Sequence, residues 1–237
     1  MPEYNIEQLA KQFWELGYIY IERFFEENVM DELQSIIWEH YGSNPEFFHN
    51  EEFIKKSKTE VIPWFPQREG QKEFDKIDQI STFNALTTAI LGEEWSNQYS
   101  MVMLSKQGTK GQAWHQDCPS DDPSQFNMNR LIYTMDITEE TGGQVVVRPF
   151  THKQGVMTVG DPDEEFEGQI EVTPKKGDLI LLHGHTWHKI RPTNQNRVST
   201  NYRVGPKGVP EDITDVCVYR NMRYQFSTNT IVEDRTI

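Results

Sequence analysis

The chain opens on helical spacing. Ile6, Leu9, Ala10, Phe13 and Trp14 recur at three- and four-residue intervals, which predicts a helix with one apolar stripe. Asn5 can cap its start, and Gly17 can adopt the left-handed conformation that ends helices. Tyr18-Ile-Tyr-Ile21 follows as a short strand of β-formers. A second helix is expected after Asn28, with Val29, Leu33, Ile36, Ile37 and His40 on its stripe and Gly42 at its end. A third is expected over Ser81 to Leu91, stopped by Gly92. Between them, residues 43–80 show no period. Charges and aromatics mix there, and Pro63 and Pro66 bracket Trp64 and Phe65. This reads as a long irregular segment with room for one short helix, and such loops often serve as lids.

Beyond Gly92 the texture changes to short strands with turn signals between them. Strands are predicted at 98–104, 112–116, 129–137, 144–148, 169–172, 179–182 and 197–204, separated by glycine- and proline-bearing turns. In the third of these, Leu131, Tyr133, Met135 and Ile137 share a face. Many short strands at close intervals imply a sandwich or barrel. A single domain is expected, with residues 1–92 as a mostly helical flank and 95–204 as the β core.

Composition narrows the function. Hydrophobic residues make up 36% and aromatics 12% of 237 residues, enough for a substantial core. A formal net charge of −14 repels phosphate backbones, which argues against nucleic acid as a partner. Two cysteines, Cys118 and Cys217, make no disulfide framework and suit a reducing compartment. Residues 1–10 lack a cationic start with an apolar run behind it, and no apolar stretch approaches membrane-spanning length. A soluble cytoplasmic protein with a small-molecule substrate is expected.

The chemistry centres on Trp114-His-Gln-Asp117. On an extended chain, His115 and Asp117 project to the same side and can converge on one ion. An imidazole and a carboxylate are two of the three ligands of the facial triad that leaves open positions on Fe(II). The tripeptide by itself is unspecific. A third ligand is on offer in Gly177-Asp-Leu-Ile-Leu-Leu-His-Gly-His-Thr-Trp-His188, where His183, His185 and His188 compete and periodicity does not choose. Arg197 and Ser199 then share a strand face with Asn201 and Arg203. A guanidinium fork and a hydroxyl suit a carboxylate.

These motifs resemble the phytanoyl-CoA dioxygenase-like family of Fe(II)/2-oxoglutarate-dependent oxygenases. Phe13-Trp-Glu-Leu-Gly-Tyr-Ile-Tyr-Ile21 is similar to the family's opening helix, glycine and strand. Trp114-His-Gln-Asp117 is similar to its iron signature. The stretch Thr141-Gly-Gly-Gln-Val-Val-Val-Arg-Pro149 resembles the region ahead of its Pro-Gly-Ser-His motif, here departing as Pro149-Phe-Thr-His152. Gly177-Asp178, His188, Asn194 and Arg197 follow the closing motif in order.

The resemblance implies a double-stranded β-helix, a jelly-roll or cupin-like barrel with iron at its mouth. It selects His188 as the third ligand beside His115 and Asp117. It makes Arg197, with Ser199, the anchor for 2-oxoglutarate, Arg203 being the fallback. It further implies consumption of O2, release of succinate and CO2, and hydroxylation, desaturation or ring formation on a small metabolite or natural-product intermediate. Trp64, Phe65, Trp114, Tyr133 and Arg148 are candidate substrate contacts. No Lys/Arg cluster is evident for an acyl-CoA. The alternative is a zinc hydrolase or isomerase on a cupin-like barrel, for which a dicarboxylate anchor has no purpose. A non-catalytic barrel and a Cys118–His115 nucleophile pair are weaker readings.

Overall fold

The structure, a computed structural model, describes residues 4–42, 61–118, 122–157, 161, 163–209, 214–219, 222–226 and 231–236. Helix α1 spans Ile6–Leu16; Asn5 accepts a hydrogen bond from the Gln8 amide at 3.0 Å, and Gly17 closes the helix at φ 83°. Strand β1 (Tyr18–Ile21) follows directly. Helix α2 (Glu27–Tyr41) begins slightly earlier than expected and buries Met30, Leu33, Ile37 and Tyr41. The expected stripe is therefore rotated: Val29 and Ile36 are only partly buried and His40 is exposed. Tyr41 fixes this rotation by donating its hydroxyl proton to the Ile62 carbonyl at 2.7 Å.

The expected irregular stretch divides. Residues 43–60 lie outside the described residues. The remainder is more ordered than its composition suggested. It forms strand β2 (Val61–Trp64), 3-10 turns at Pro66–Glu69 and Lys72–Phe74, and a one-turn helix at Asp75–Asp78. Helix α3 covers Ser81–Leu91, as the pattern predicted.

The β core is two facing antiparallel sheets. Strands β3 (Ser96–Ser105), β5 (Met128–Ile132), β8 (Leu179–His183) and β10 (Arg197–Gly205) join β1 and β2 in the order β1-β8-β5-β10-β3-β2. Strands β4 (Gln112–His115), β6 (Val145–Val147), β7 (Ile170–Val172) and β9 (His188–Ile190) make the smaller sheet, ordered β4-β9-β6-β7. This is the jelly-roll architecture that the strand spacing and the family resemblance implied. Beyond the expected core, β11 (Thr214–Tyr219), β12 (Met222–Phe226) and β13 (Ile231–Thr236) form a third sheet.

Alternation along the strands assigns the two faces. Val102, Leu104, Met128, Ile132, Leu179, Leu181, Val198, Tyr202 and Val204 pack with the helices in one core. Leu131, Tyr133, Ile180 and Leu182 face the smaller sheet and meet Val145, Val147 and Val172. Strand β8 is buried on both sides, which is why Leu179-Ile-Leu-Leu182 reads as an unbroken apolar run rather than as alternation. Strand β5 is shorter than predicted. It stops at Ile132, and Met135 leaves for the helix-side core while Leu131, Tyr133 and Ile137 stay between the sheets.

Candidate metal centre and co-substrate pocket

Three of the predicted residues meet. His115 ends β4 and His188 begins β9, and the two are directly opposed in the antiparallel register. Their rings lie 4.1 Å apart between centroids. Asp117 follows β4, held in place by its backbone amide donating to the Gly184 carbonyl at 2.8 Å. Its Oδ1 is 3.4 Å from His115 Nε2 and its Oδ2 is 3.6 Å from His188 Nε2. One donor atom from each of the three lies within 4.8 Å of the others.

Both imidazoles are held in one orientation by backbone carbonyls. His115 Nδ1 is 2.7 Å from the Ala113 carbonyl and His188 Nδ1 is 2.9 Å from that of Thr186. A carbonyl only accepts, so each Nδ1 carries the proton and each Nε2 lone pair faces Asp117. Burial, then neighbouring His115, pushes His188 down to about 3. Burial alone would raise Asp117, but the neighbouring Arg203 guanidinium outweighs it and holds the carboxyl well below the usual carboxylate range. Two imidazoles and one carboxylate on one wall of a pocket are a donor set that fits Fe(II) with positions left open.

The other histidines of the motif, His183 and His185, are not among the three convergent donors. His183 stacks on Phe126, with centroids 4.2 Å apart and planes 12° from parallel, and packs on Phe13. Its Nδ1 accepts from the His185 amide at 3.1 Å. Burial pushes it down to about 2, so it stays neutral. Gly184 between them is needed for close approach: a Cβ there would lie 2.4 Å from Asn127 Oδ1 and 3.0 Å from Cys118 Cβ. Cys118, buried, donates to the Gln125 carbonyl.

Behind the triad, the cavity is lined by Met103, Leu131, Tyr133, Ile190, Arg197 and Ser199, among others. Arg197 is 2% exposed, and its Nε has no hydrogen-bond partner among the described residues. The buried Tyr133 hydroxyl lies beside the same guanidinium and interacts with it. Burial pushes Tyr133 up to about 12 against the pull of Arg197. A buried guanidinium with an unpaired Nε, set beside a buried hydroxyl, is suited to an anion that completes it. Gly143 permits this placement, since a Cβ there would meet Arg197 Cδ at 2.3 Å. Neither Tyr133 as a partner of Arg197 nor Gly143 as its cradle was foreseen from sequence. The sequence marks Tyr133 as a candidate substrate contact, and it does line the pocket.

The other candidate substrate contacts go elsewhere. Trp64 is buried in the helix-side core and stacks on His40. Trp114 points away from the triad, donating to the Glu164 carbonyl and packing on Phe166. Arg148 lies over Phe166 and Trp187. Phe65 packs on Tyr99, edge to face. The parity that sends His115 inwards sends Trp114 outwards. Arg203, the fallback anchor, pairs instead with Asp117 at 2.9 Å.

The family model for phytanoyl-CoA dioxygenase (PhyH) matches residues 13–199. The chain belongs to the phytanoyl-CoA dioxygenase family. Membership makes it an Fe(II)- and 2-oxoglutarate-dependent enzyme of the oxygenase type. No curated protein matches the sequence. Among solved structures, the non-haem α-ketoglutarate-dependent epimerase SnoN from nogalamycin biosynthesis is similar, at TM-score 0.65 and 16% identity, over 95% of this chain and 87% of its own. HygX from Streptomyces hygroscopicus, with nickel and 2-oxoglutarate bound, is similar at TM-score 0.67 and 13% identity, over 86% of this chain and 88% of its own. At such identities these likenesses establish the shared fold. Among the described residues of this family member, no helix is long and apolar enough to cross a membrane.

Proposed function

We propose that the protein is a dioxygenase in which His115, Asp117 and His188 hold Fe(II) and Arg197, with Ser199 and Tyr133, grips the far carboxylate of 2-oxoglutarate. The observation that carries this reading is the pairing of two features in one cavity: three convergent donor atoms, and a buried guanidinium with an open hydrogen-bonding position. Iron, 2-oxoglutarate and O2 together supply the oxidant, with succinate and CO2 as by-products. The chain's own residues bind, orient and shield. His115 and His188 are locked in the tautomer that offers Nε2, and Asp117 stays ionised. Arg197 fixes the co-substrate by two-point geometry. Met103, Leu131 and Ile190 supply apolar walls that keep water out of the pocket.

The substrate is a small metabolite or natural-product intermediate. HygX has been seen with hygromycin B and SnoN with nogalamycin RO, both small molecules held by enzymes of this shape. An acyl-CoA is disfavoured by the net charge of −14 and by the lack of a basic cluster to receive its phosphates. Asp117 occupies the position that halide takes in related halogenases, which favours hydroxylation, desaturation or ring closure; the SnoN likeness adds epimerisation to that set. A cytoplasmic, reducing setting suits Fe(II) and the buried Cys118 thiol. The zinc-hydrolase alternative leaves Arg197 and Tyr133 without a purpose.

The test is anaerobic addition of Fe(II) and 2-oxoglutarate to the metal-free protein. A visible charge-transfer band is expected, followed by succinate release on admitting O2. No band, with zinc-supported hydrolysis instead, would reverse the assignment.

A further inference from the structure

Strand β10 presents two arginines to the same cavity, and they do different things. Arg197 lines the cavity beside Tyr133, with its Nε unpartnered among the described residues. Arg203, six residues along and about 20 Å away by strand rise, ends on Asp117. Its Nη2 donates to Asp117 Oδ2 at 2.9 Å, and it is 2% exposed. The ladder between β10 and β3 is irregular between Arg203 and Val204. Such bulges re-aim a side chain locally. The guanidinium also lies against the Tyr99 ring, with Cζ 5.5 Å from its centroid.

A second donor reaches the same oxygen. Asn129 Nδ2 donates to Asp117 Oδ2 at 2.7 Å. The orientation of that amide is dictated from behind. Asn201 Nδ2 donates to Asn129 Oδ1 at 2.7 Å, and the Arg130 backbone amide donates to Asn201 Oδ1 at 3.2 Å. Each bond fixes the flip of the next amide, so the chain runs one way, from the Arg130 amide to the Asp117 carboxylate. Every member is buried.

We infer that Arg203 and Asn129 are positioning residues that clamp Asp117 by Oδ2, so that it meets the metal through Oδ1 alone. The inference rests on the proposed iron site. A carboxylate with both oxygens free can turn and fill a second coordination position. With Oδ2 engaged by two donors, Asp117 contributes one oxygen, and the positions that 2-oxoglutarate needs stay open. The clamp also separates the two arginines by function: the one at the start of β10 belongs to the co-substrate, the one at its end to the metal ligand.

The test uses Arg203→Met, Arg203→Lys and Asn129→Leu in the full chain, with Fe(II) and, separately, Co(II) as probes. Partners of metal ligands typically contribute 10–100-fold to metal affinity. Arg203→Met is expected to weaken Fe(II) binding within that range, to change the Co(II) d–d spectrum, and to lower the anaerobic 2-oxoglutarate band at saturating Fe(II). Arg203→Lys, which keeps a charged donor, should recover part of each. If Arg203→Met does not fold, Asn129→Leu carries the same expectations at smaller size. A variant that melts earlier yet keeps the wild-type Fe(II) affinity and Co(II) spectrum would overturn the clamp and leave Arg203 as a plain buried ion pair. Failure of the unmodified protein to bind Fe(II), or an Asp117→Ala variant that binds it normally, would instead overturn the iron site itself.

Discussion

Gly143 and Arg197 are in a contact that admits no side chain on the glycine. A Cβ at residue 143 would lie 2.3 Å from Arg197 Cδ and 2.7 Å from its Nε. The turn at Thr141-Gly-Gly143 is pinned there by the Gly143 amide donating to the Pro192 carbonyl at 3.0 Å and by a bridge between Gly142 and Thr193. Gly143→Ala should therefore displace the guanidinium and raise the KM for 2-oxoglutarate by roughly tenfold or more, since a misplaced two-point anchor loses about 1–3 kcal/mol. Gly142→Ala is the control. It also has positive φ, at 67°, but its Cβ would strike the Pro192 carbonyl rather than Arg197. Both should cost stability; only Gly143→Ala should move the KM more than the kcat. Steady-state kinetics in 2-oxoglutarate checks this.

His183 and His188 make opposite predictions although the sequence presents them as equivalent. His188→Ala should lose bound iron and activity while the apo protein stays folded. His183→Ala should keep iron at the wild-type stoichiometry and lose about 2–4 kcal/mol of stability, because it removes a ring packed on Phe126 and Phe13. Metal analysis with thermal or denaturant melts separates the two. Iron loss from His183→Ala would mean the third ligand was misassigned.

Acid sensitivity follows from the same histidine. His183 titrates near 6.5 in the unfolded chain but is pushed down to about 2 in the fold. Below pH 6.5 the unfolded chain takes up a proton that the folded one refuses, so stability falls as pH falls, by up to about 1.4 kcal/mol per unit for this group. Above 6.5 it contributes no slope. His188, pushed to about 3 in the metal-free state, adds to the same trend. Asp117, held low, contributes stability above the unfolded carboxylate range that is lost only at lower pH. Between about pH 4.5 and 6.5 the histidines dominate. Denaturant melts of the apo protein across that window should show the slope, and His183→Gln should reduce it by about one proton.

The contrast among these histidines marks what the sequence could show. Period-3.6 patterns located α1 and α3, which bury one stripe, while short runs between turn signals located β3 and β8, which are buried on both faces. Strand β9 escaped notice: three residues between two loops carry no period, so His188 read as lying past a strand when it opens one opposite His115. Strand β2 hid among prolines and charges, and β5 was overextended because Met135 continues the alternation while the backbone turns away. The triad was legible as a residue set only with the family's spacing in hand. The Arg203 and Tyr133 roles were not, since both depend on which cross-strand neighbour each faces.

Phe150 offers a test at the place where the sequence departs from the family's Pro-Gly-Ser-His. It sits at φ 69°, in the left-handed region, and is 51% exposed. A side chain in that conformation costs about 1–2 kcal/mol, which a glycine avoids. Glycine in turn costs roughly 0.5–1 kcal/mol through the freedom it adds to the unfolded chain. The turn itself is held by the Phe150 amide donating to the Leu16 carbonyl and by Thr151 Oγ1 donating to the Arg148 carbonyl, neither of which needs the phenyl ring. Phe150→Gly should therefore be neutral to about 1 kcal/mol more stable, where truncating a packed phenylalanine would cost several. Phe150→Ala keeps the strained backbone without the ring and should be the less stable of the two. A melt in which Phe150→Gly loses more than 1 kcal/mol would show that the exposed ring packs against something in the native protein that this geometry does not include.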